Sequence, residues 1–183
     1  MFSLKDDADG LWVAEEAGAI YNFRVAREDL MGRLQGAQFR TVPLGEVASD
    51  LRNLAQIDAG VLGVSREKHH KYLINDSETR GVGLWAGDDC VGYAYVSTGG
   101  HIGPLAVTKP NAVDAAFRTA LTLAAESGSS QVSAFVPGTS ETALRTAVEH
   151  GMRITIADVV DVNTGFGDGP GICPAILASC SWK

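Results

Sequence analysis

Cysteine is scarce in this chain. Cys90, Cys173 and Cys180 are the only three in 183 residues, and no two form a Cys-x-x-Cys pair. An odd, widely spaced set argues against a disulfide framework and against a thiolate zinc site. His69, His70, His101 and His150 stand at no ligand spacing with a cysteine or an acid, so no metal is expected. Positive charge is also short: 15 Lys and Arg against 22 Asp and Glu leave a formal net charge of −7. Excess carboxylate repels polyanions, which speaks against nucleic acid and against an anionic membrane surface as partners. It suits a cationic small molecule, and it equally suits plain solubility. No apolar run reaches the roughly 18 residues of a membrane span. The opening MFSLKDDADG has no basic segment followed by an apolar core, so a reducing, cytoplasmic setting is expected.

What the chain has is enough apolar residue, 45%, for one domain with a real core. Residues 11–25, LWVAEEAGAIYNFRV, read as a hairpin turning at Glu16-Ala17-Gly18. Residues 27–36 read as a short helix ending at Gly36, and FRTVPL (39–44) as a strand. From Glu46 to Leu62 the residues Val47, Leu51, Leu54, Ala55, Ile57 and Leu62 recur at helical spacing. Ser65 is placed to cap a second helix, REKHHKYLIND. Two strands about Gly87-Asp88-Asp89 follow (81–97), then the apolar strand HIGPLAV (101–107). A helix is expected over 111–127, a strand over 131–137, a helix over 140–151 stopping at Gly151, and a strand over 152–162. Asn111 with Asp114 three residues on makes a capping box for the 111–127 helix. The glycine-rich NTGFGDGPG (163–171) reads as a loop, and ICPAILASCSW (172–182) as a last strand.

Several of these segments, in this order, resemble the Gcn5-related N-acetyltransferases over residues 39 to 183. GDDCVGYAYV resembles that family's second and third strands, and GPLAVTKP its fourth. TSETALRTAVEHGMRI resembles its fourth helix, with Ser140 standing for the usual Asn. PAILASCSW resembles the second halves of members that carry two such domains in one chain. The resemblance implies an α+β fold (also describable as α/β). Its sheet is mixed and mostly antiparallel, flanked by helices, with the fourth and fifth strands splayed apart. Residues 38–183 would form that domain. Residues 1–37, a hairpin and short helix, would be the remnant of a preceding domain. That hairpin has strand edges to satisfy and is expected to pair with the main sheet or a partner subunit, giving a homodimer.

The resemblance also implies acetyl-CoA as donor. The splay would leave N–H and C=O groups of Leu105, Ala106 and Val107 open to the pantetheine amides, as to an added strand. Pyrophosphate would meet the next helix's start around Lys109, Asn111, Ala112 and Val113, with Ser140 nearby. Were the notch left by this splay plugged by side chains, or the segment fully bonded on both flanks, the transferase reading would fail. The family's Arg and glycines are missing from this loop, and Asp114 would repel phosphate. The helical Tyr many members use as an acid is Ala147 here.

His101 stands where some members carry a base, and a neutral imidazole suits that work. It is equally the polar first residue of a strand. Tyr93 and Tyr95 share one face of their strand and would serve as acid or line the acceptor pocket, or simply pack. His70 and Trp85 are candidate acceptor contacts, as are Asp158 and Asp168 for a polycation. The acceptor implied is a primary amine of a small cationic molecule, an aminoglycoside-like polyamine, which would make the reaction an antibiotic modification. The alternatives are a protein or amino-acid amine, or a silent domain that senses CoA or a metabolite or serves only to dimerise.

Overall fold

The computed structural model describes residues 18–45, 48–160 and 176–177. Gly18–Ala26 forms β1, and Arg27–Met31 the short helix α1. Arg40–Pro43 is β2; Ala48–Leu62 and Glu67–Asn75 are the helices α2 and α3. Thr79–Ala86, Asp89–Ser97 and His101–Val107 are β3, β4 and β5. A 3-10 turn at Pro110–Ala112 leads into α4, Val113–Glu126. Gln131–Pro137 is β6, Glu141–Glu149 is α5, Arg153–Val160 is β7 and Ile176–Leu177 is β8. This is an α+β chain around one sheet, in the order β2-β3-β4-β5-β6-β1-β7, with β8 paired to β5. Every pairing is antiparallel except β5 with β6. No helix among the described residues is long and apolar enough to cross a membrane.

The two faces of the sheet follow from alternation along the strands. One face of β4 carries Tyr93 and Tyr95, which meet α2 and α3 through the side chains of Asp58 and His70. The other face is covered by α4, which buries Val113, Ala116, Phe117, Ala120, Leu121 and Ala124 at spacings of three and four. Each large side chain among these contributes about 1.5–3 kcal/mol on burial. Thr119 is also fully buried in α4. Its hydroxyl donates to Ala115 O and accepts the backbone N–H groups of Gln38 and Phe39. That ties the lead-in of β2 to the helix.

β1 lies between β6 and β7 and pairs antiparallel with both. A long-range partner was not readable from one apolar segment. The expected turn at Glu16-Ala17 lies outside the described residues, as does the loop 163–171. Two local expectations are corrected. Ser65 does not cap α3: Arg66 stands at that position, its backbone N–H donating to Asp58 Oδ2 at 3.2 Å. The Asn111–Asp114 capping box does not form either. Asn111 lies inside the 3-10 turn, Ala112 is the cap residue of α4, and no side chain caps that helix. The stop at Gly151 is as expected, with φ of +77°.

Two glycines set how closely β5 is approached. At Gly100, with φ of +78°, a Cβ would fall 2.2 Å from Gln131 O. Only glycine lets this turn bring its carbonyl to Ser133 N, at 3.0 Å. At Gly92 a Cβ would lie 2.5 Å from Ala106 O and 2.6 Å from Val107 Cγ1. Gly92→Ala is therefore expected to destabilise the fold by about 1–3 kcal/mol, as overpacking does. Gly60→Ala, in α2 with nothing within 4 Å of the new Cβ, should instead stabilise by about 0.5–1 kcal/mol. Urea unfolding midpoints measure both, and an unchanged midpoint for Gly92→Ala would contradict the close approach.

Candidate functional site

β5 and β6 run parallel and are in register at only two positions, His101 with Ser133 and Ile102 with Ala134. The next residues of β5 are Gly103 and Pro104, joined by a cis peptide bond. Proline has no N–H to donate, so the ladder cannot continue through it. Past that point β5 keeps its pairing with β4, at Leu105 with Ala94, Ala106 with Tyr93 and Val107 with Gly92. Its other edge leaves β6, so a notch opens between the two strands.

β8 lies in this notch. It pairs antiparallel with β5, Leu105 with Leu177 and Ala106 with Ile176. The expectation of a free edge at Leu105 and Ala106 is therefore corrected, since both flanks of β5 are paired there. Val107 is paired on the β4 side. The same finding shows that the edge accepts an extended backbone. A two-residue ladder of this kind holds few hydrogen bonds, each worth about 0.5–1.5 kcal/mol net.

At one end of the notch stands the start of α4. Lys109 is exposed and precedes the 3-10 turn; Asn111 is exposed and Val113 is buried. Asp114, expected to repel an anion, is neutralised. Arg118 Nε reaches both its oxygens, at 3.0 and 2.9 Å, and the Thr146 hydroxyl donates to Oδ1 at 2.6 Å. Burial alone would raise the Asp114 pKa, but these hydrogen bonds hold it below the ordinary value. Arg118 also binds Glu149 at 2.6 Å, joining α4 to α5. Ser140 is buried at the head of α5 without a side-chain capping bond.

At the other end stands His101. Its Nδ1 lies 3.0 Å from Ser133 Oγ, and its ring meets Phe135 edge-on with centroids 5.3 Å apart. Two buried side-chain atoms among the described residues have no hydrogen-bond partner, His101 Nε2 and Asn22 Oδ1. Asn22 pairs with Phe135 across β1 and β6, so both atoms belong to the same sheet face, on either side of that ring. Burial, and next the Arg24 charge, push the His101 pKa below the usual imidazole value. The ring is therefore neutral at pH 7.

Tyr93, Tyr95 and His70 are not in the notch wall. They are fully buried in one polar network with Asp58 and Arg66, none of the three tyrosine or histidine side chains exceeding 1% exposure. Asp58 Oδ1 accepts the Tyr93 hydroxyl at 2.6 Å, and Oδ2 lies 2.9 Å from His70 Nε2. His70 Nδ1 lies 2.9 Å from the Tyr95 hydroxyl. Arg66 reaches both carboxylate oxygens at 3.2 Å and also touches the Tyr93 hydroxyl. Burial pushes both phenols far above their ordinary pKa, with Asp58 adding to the effect. They remain protonated donors. For Asp58, burial raises the pKa, but hydrogen bonds from His70, Arg66 and Tyr93 outweigh it and hold the carboxyl well below its ordinary value. The expected roles of Tyr93 and Tyr95 at reacting atoms, and of His70 at an acceptor, thus meet side chains whose polar atoms already have partners.

Trp85 lies half-buried near the end of β3, under the Arg40 guanidinium at 5.2 Å. The backbone of Asp158 is in β7, opposite Ile20. Asp168 lies outside the described residues. Among the described residues no three His, Cys, Asp or Glu side chains converge as metal ligands would. The sequence reading missed Asp58, Arg66, Ser133 and Asn22. Asp58 did carry a signal: it interrupts the apolar stripe of Leu54, Ile57 and Val61.

No family model and no curated protein matches this sequence. Solved structures do. A Pyrococcus horikoshii protein provisionally assigned as an acetyltransferase superposes with a TM-score of 0.62 at 18% identity, over 91% of this chain and 52% of that one. A Drosophila protein superposes at 0.60 with 12% identity, over 79% of this chain and 50% of that one. A conserved Staphylococcus epidermidis protein of unknown function gives 0.55 at 9%, over 79% and 59%. This chain thus spans about half the length of the structures it matches. These likenesses show the fold alone, a mostly antiparallel sheet flanked by helices that matches the expected architecture of the Gcn5-related N-acetyltransferases.

The Asp58 network yields a stability prediction. Asp58→Ala leaves the buried Tyr93 and His70 without their acceptor and the partly exposed Arg66 without its counter-charge, and should cost about 1–3 kcal/mol. The depressed pKa of Asp58 also fixes the sign with pH. In the unfolded chain the carboxyl takes up a proton near its ordinary 3.8, while in the fold it stays ionised. Its contribution is complete above that value and is lost as pH falls below it. The gap in urea midpoint between wild type and Asp58→Ala should be smaller at pH 3 than at pH 7; a constant gap would contradict the assignment.

Proposed function

We propose that this chain binds acetyl-CoA along β5 and transfers its acetyl group to a primary amine. The observation that carries the proposal is the notch itself, a strand edge at Leu105 and Ala106 that takes up an extended backbone. A pantetheine arm is such a backbone, with two amides to pair. The residues present fit it. The edge is competent, α4 begins without a side-chain cap, Lys109 is exposed beside it, and Asp114 is neutralised by Arg118. Leu105, Ala106 and Val107 would hold the arm, with β8 out of the way. Lys109 and the backbone at Asn111, Ala112 and Val113 would face the phosphates. When bound, acetyl-CoA supplies an activated acetyl group and a thiol whose pKa of about 8.5 lets it leave without a strong acid. Ala147 leaves no side chain for that task in α5.

An ammonium cannot attack a carbonyl, so the acceptor must lose a proton first. His101 is the group we assign to take it. In the tautomer that donates Nδ1–H to Ser133, Nε2 carries the lone pair and has no partner. Ser133 then holds the ring in orientation. The acceptor we propose is a small cationic molecule, an aminoglycoside-like polyamine, which would make the reaction an antibiotic modification. The support for that choice is the net charge of −7. A homodimer is part of the same proposal: β7 borders only β1 among the described residues, leaving an edge for a second copy. A CoA-sensing domain without transfer is the second reading, favoured by β8 in the notch and by Ala147.

Calorimetric titration with CoA and a thiol-release assay against an amine panel separate these readings. Heat with turnover supports transfer, heat alone supports sensing, and no heat at millimolar CoA removes both. His101→Ala should lower kcat by about 100-fold or more while leaving the acceptor KM near wild type. The wild-type rate should also fall once pH drops below the ordinary imidazole value, since the lowered pKa keeps the His101 ring neutral down to that point. Full activity in His101→Ala ends its role as base. Light scattering is expected to give the mass of two chains, and the mass of one would contradict the dimer.

A further inference from the structure

The notch has an occupant within the chain. Ile176 and Leu177 take the same β5 edge, at Leu105 and Ala106, that the proposed function gives to the pantetheine arm. Backbone groups at one edge can be satisfied by one strand at a time. The two occupants are therefore mutually exclusive on that edge. β8 is also short, two residues, and its partner strand is held independently from the other side by β4 through Leu105, Ala106 and Val107. β5 thus keeps its place in the sheet when β8 is absent, and the notch does not depend on β8 to exist. Its floor is set by Gly103-Pro104 and by the register at His101 and Ile102. Those features favour an exchange of occupants over a permanent plug.

We propose that β8 is an internal competitor for the cofactor slot, so that loading requires the segment carrying Ile176–Leu177 to leave the edge of β5. This rests on the acetyl-CoA reading above. Its consequence is a lowered apparent affinity: CoA binds only the fraction of molecules whose edge is open, and the measured Kd rises in inverse proportion to that fraction. Any condition or partner that draws β8 away would raise affinity without touching a residue that contacts the cofactor. The ligand class of the slot is an extended amide chain in general, of which the chain's own strand is one case.

The test uses the full chain and the double variant Ile176→Pro/Leu177→Pro, in which both N–H groups of β8 are lost. CoA binding is read by calorimetry, and amide exchange is read at Leu105, Ala106, Ile176 and Leu177. The variant is expected to bind CoA at least tenfold more tightly than the full chain. Without CoA its Leu105 amide should exchange faster, while the Ala106 amide, which faces β4, keeps its protection. In the unmodified chain, saturating CoA should release protection at Leu177, whose N–H faces Leu105, while Leu105 stays protected. Equal, measurable affinity of both proteins overturns the competition and leaves the acetyl-CoA reading standing. No binding by either protein overturns the acetyl-CoA reading itself, and the competition with it. The exchange measurement on the unmodified chain needs no variant to fold: protection at Leu177 unchanged by bound CoA also overturns the competition.

Discussion

Beyond Ile102 the strand β5 loses the means to stay with β6. Gly103 adds no side chain to pack, and Pro104 has no N–H to give, so two register positions are all the parallel ladder there is. The rest of the site follows from this parting. It leaves a strand edge at Leu105 and Ala106, puts the start of α4 at one end of the notch, and sets His101 at the other. β4 makes the arrangement durable. Gly92 lets β4 sit against the Ala106 carbonyl, so β5 is held firmly on one flank while the other is exchangeable.

The buried network under α2 and α3 serves a different end. Asp58 receives hydrogen bonds from Arg66, Tyr93 and His70, and His70 passes the chain on to Tyr95. One carboxylate and one guanidinium balance, and the remaining members are neutral donors and acceptors with partners. Buried charge of this kind is tolerated only when fully paired, and pairing fixes geometry. The network therefore seats two helices on the β3–β4 side of the sheet at one register. It draws on Tyr93, Tyr95 and His70, the candidates for catalysis and acceptor binding, and gives their polar atoms partners within the core.

Local pattern carried most of the fold. The strands at 101–107 and 131–137 match the structure to the residue because each is an apolar run bounded by turn residues. The helix read from Glu46 to Leu62 was evident from its period, and the structure has it over Ala48–Leu62. What could not be read depends on partners distant in sequence. Nothing in GAIYNFRVA indicates that it lies between β6 and β7, and nothing in the apolar run around Ile176 says which strand it joins. Two signals were present and unused. Pro104 inside a buried strand marks a broken ladder, and Asp58 inside an apolar helical stripe marks a buried partner. The capping box was a misreading of another kind: Pro110 shifted the helix start, so Asn111 ended inside a 3-10 turn and Asp114 turned to Arg118 and Thr146.

The central claim is that the parting of β5 from β6 makes a slot for an extended amide chain. A crystal structure of the protein grown with acetyl-CoA tests it most directly. The account predicts the pantetheine arm alongside Leu105 and Ala106, with Ile176–Leu177 displaced from that edge. A complex in which β8 still pairs with β5 and the cofactor is bound elsewhere would contradict it.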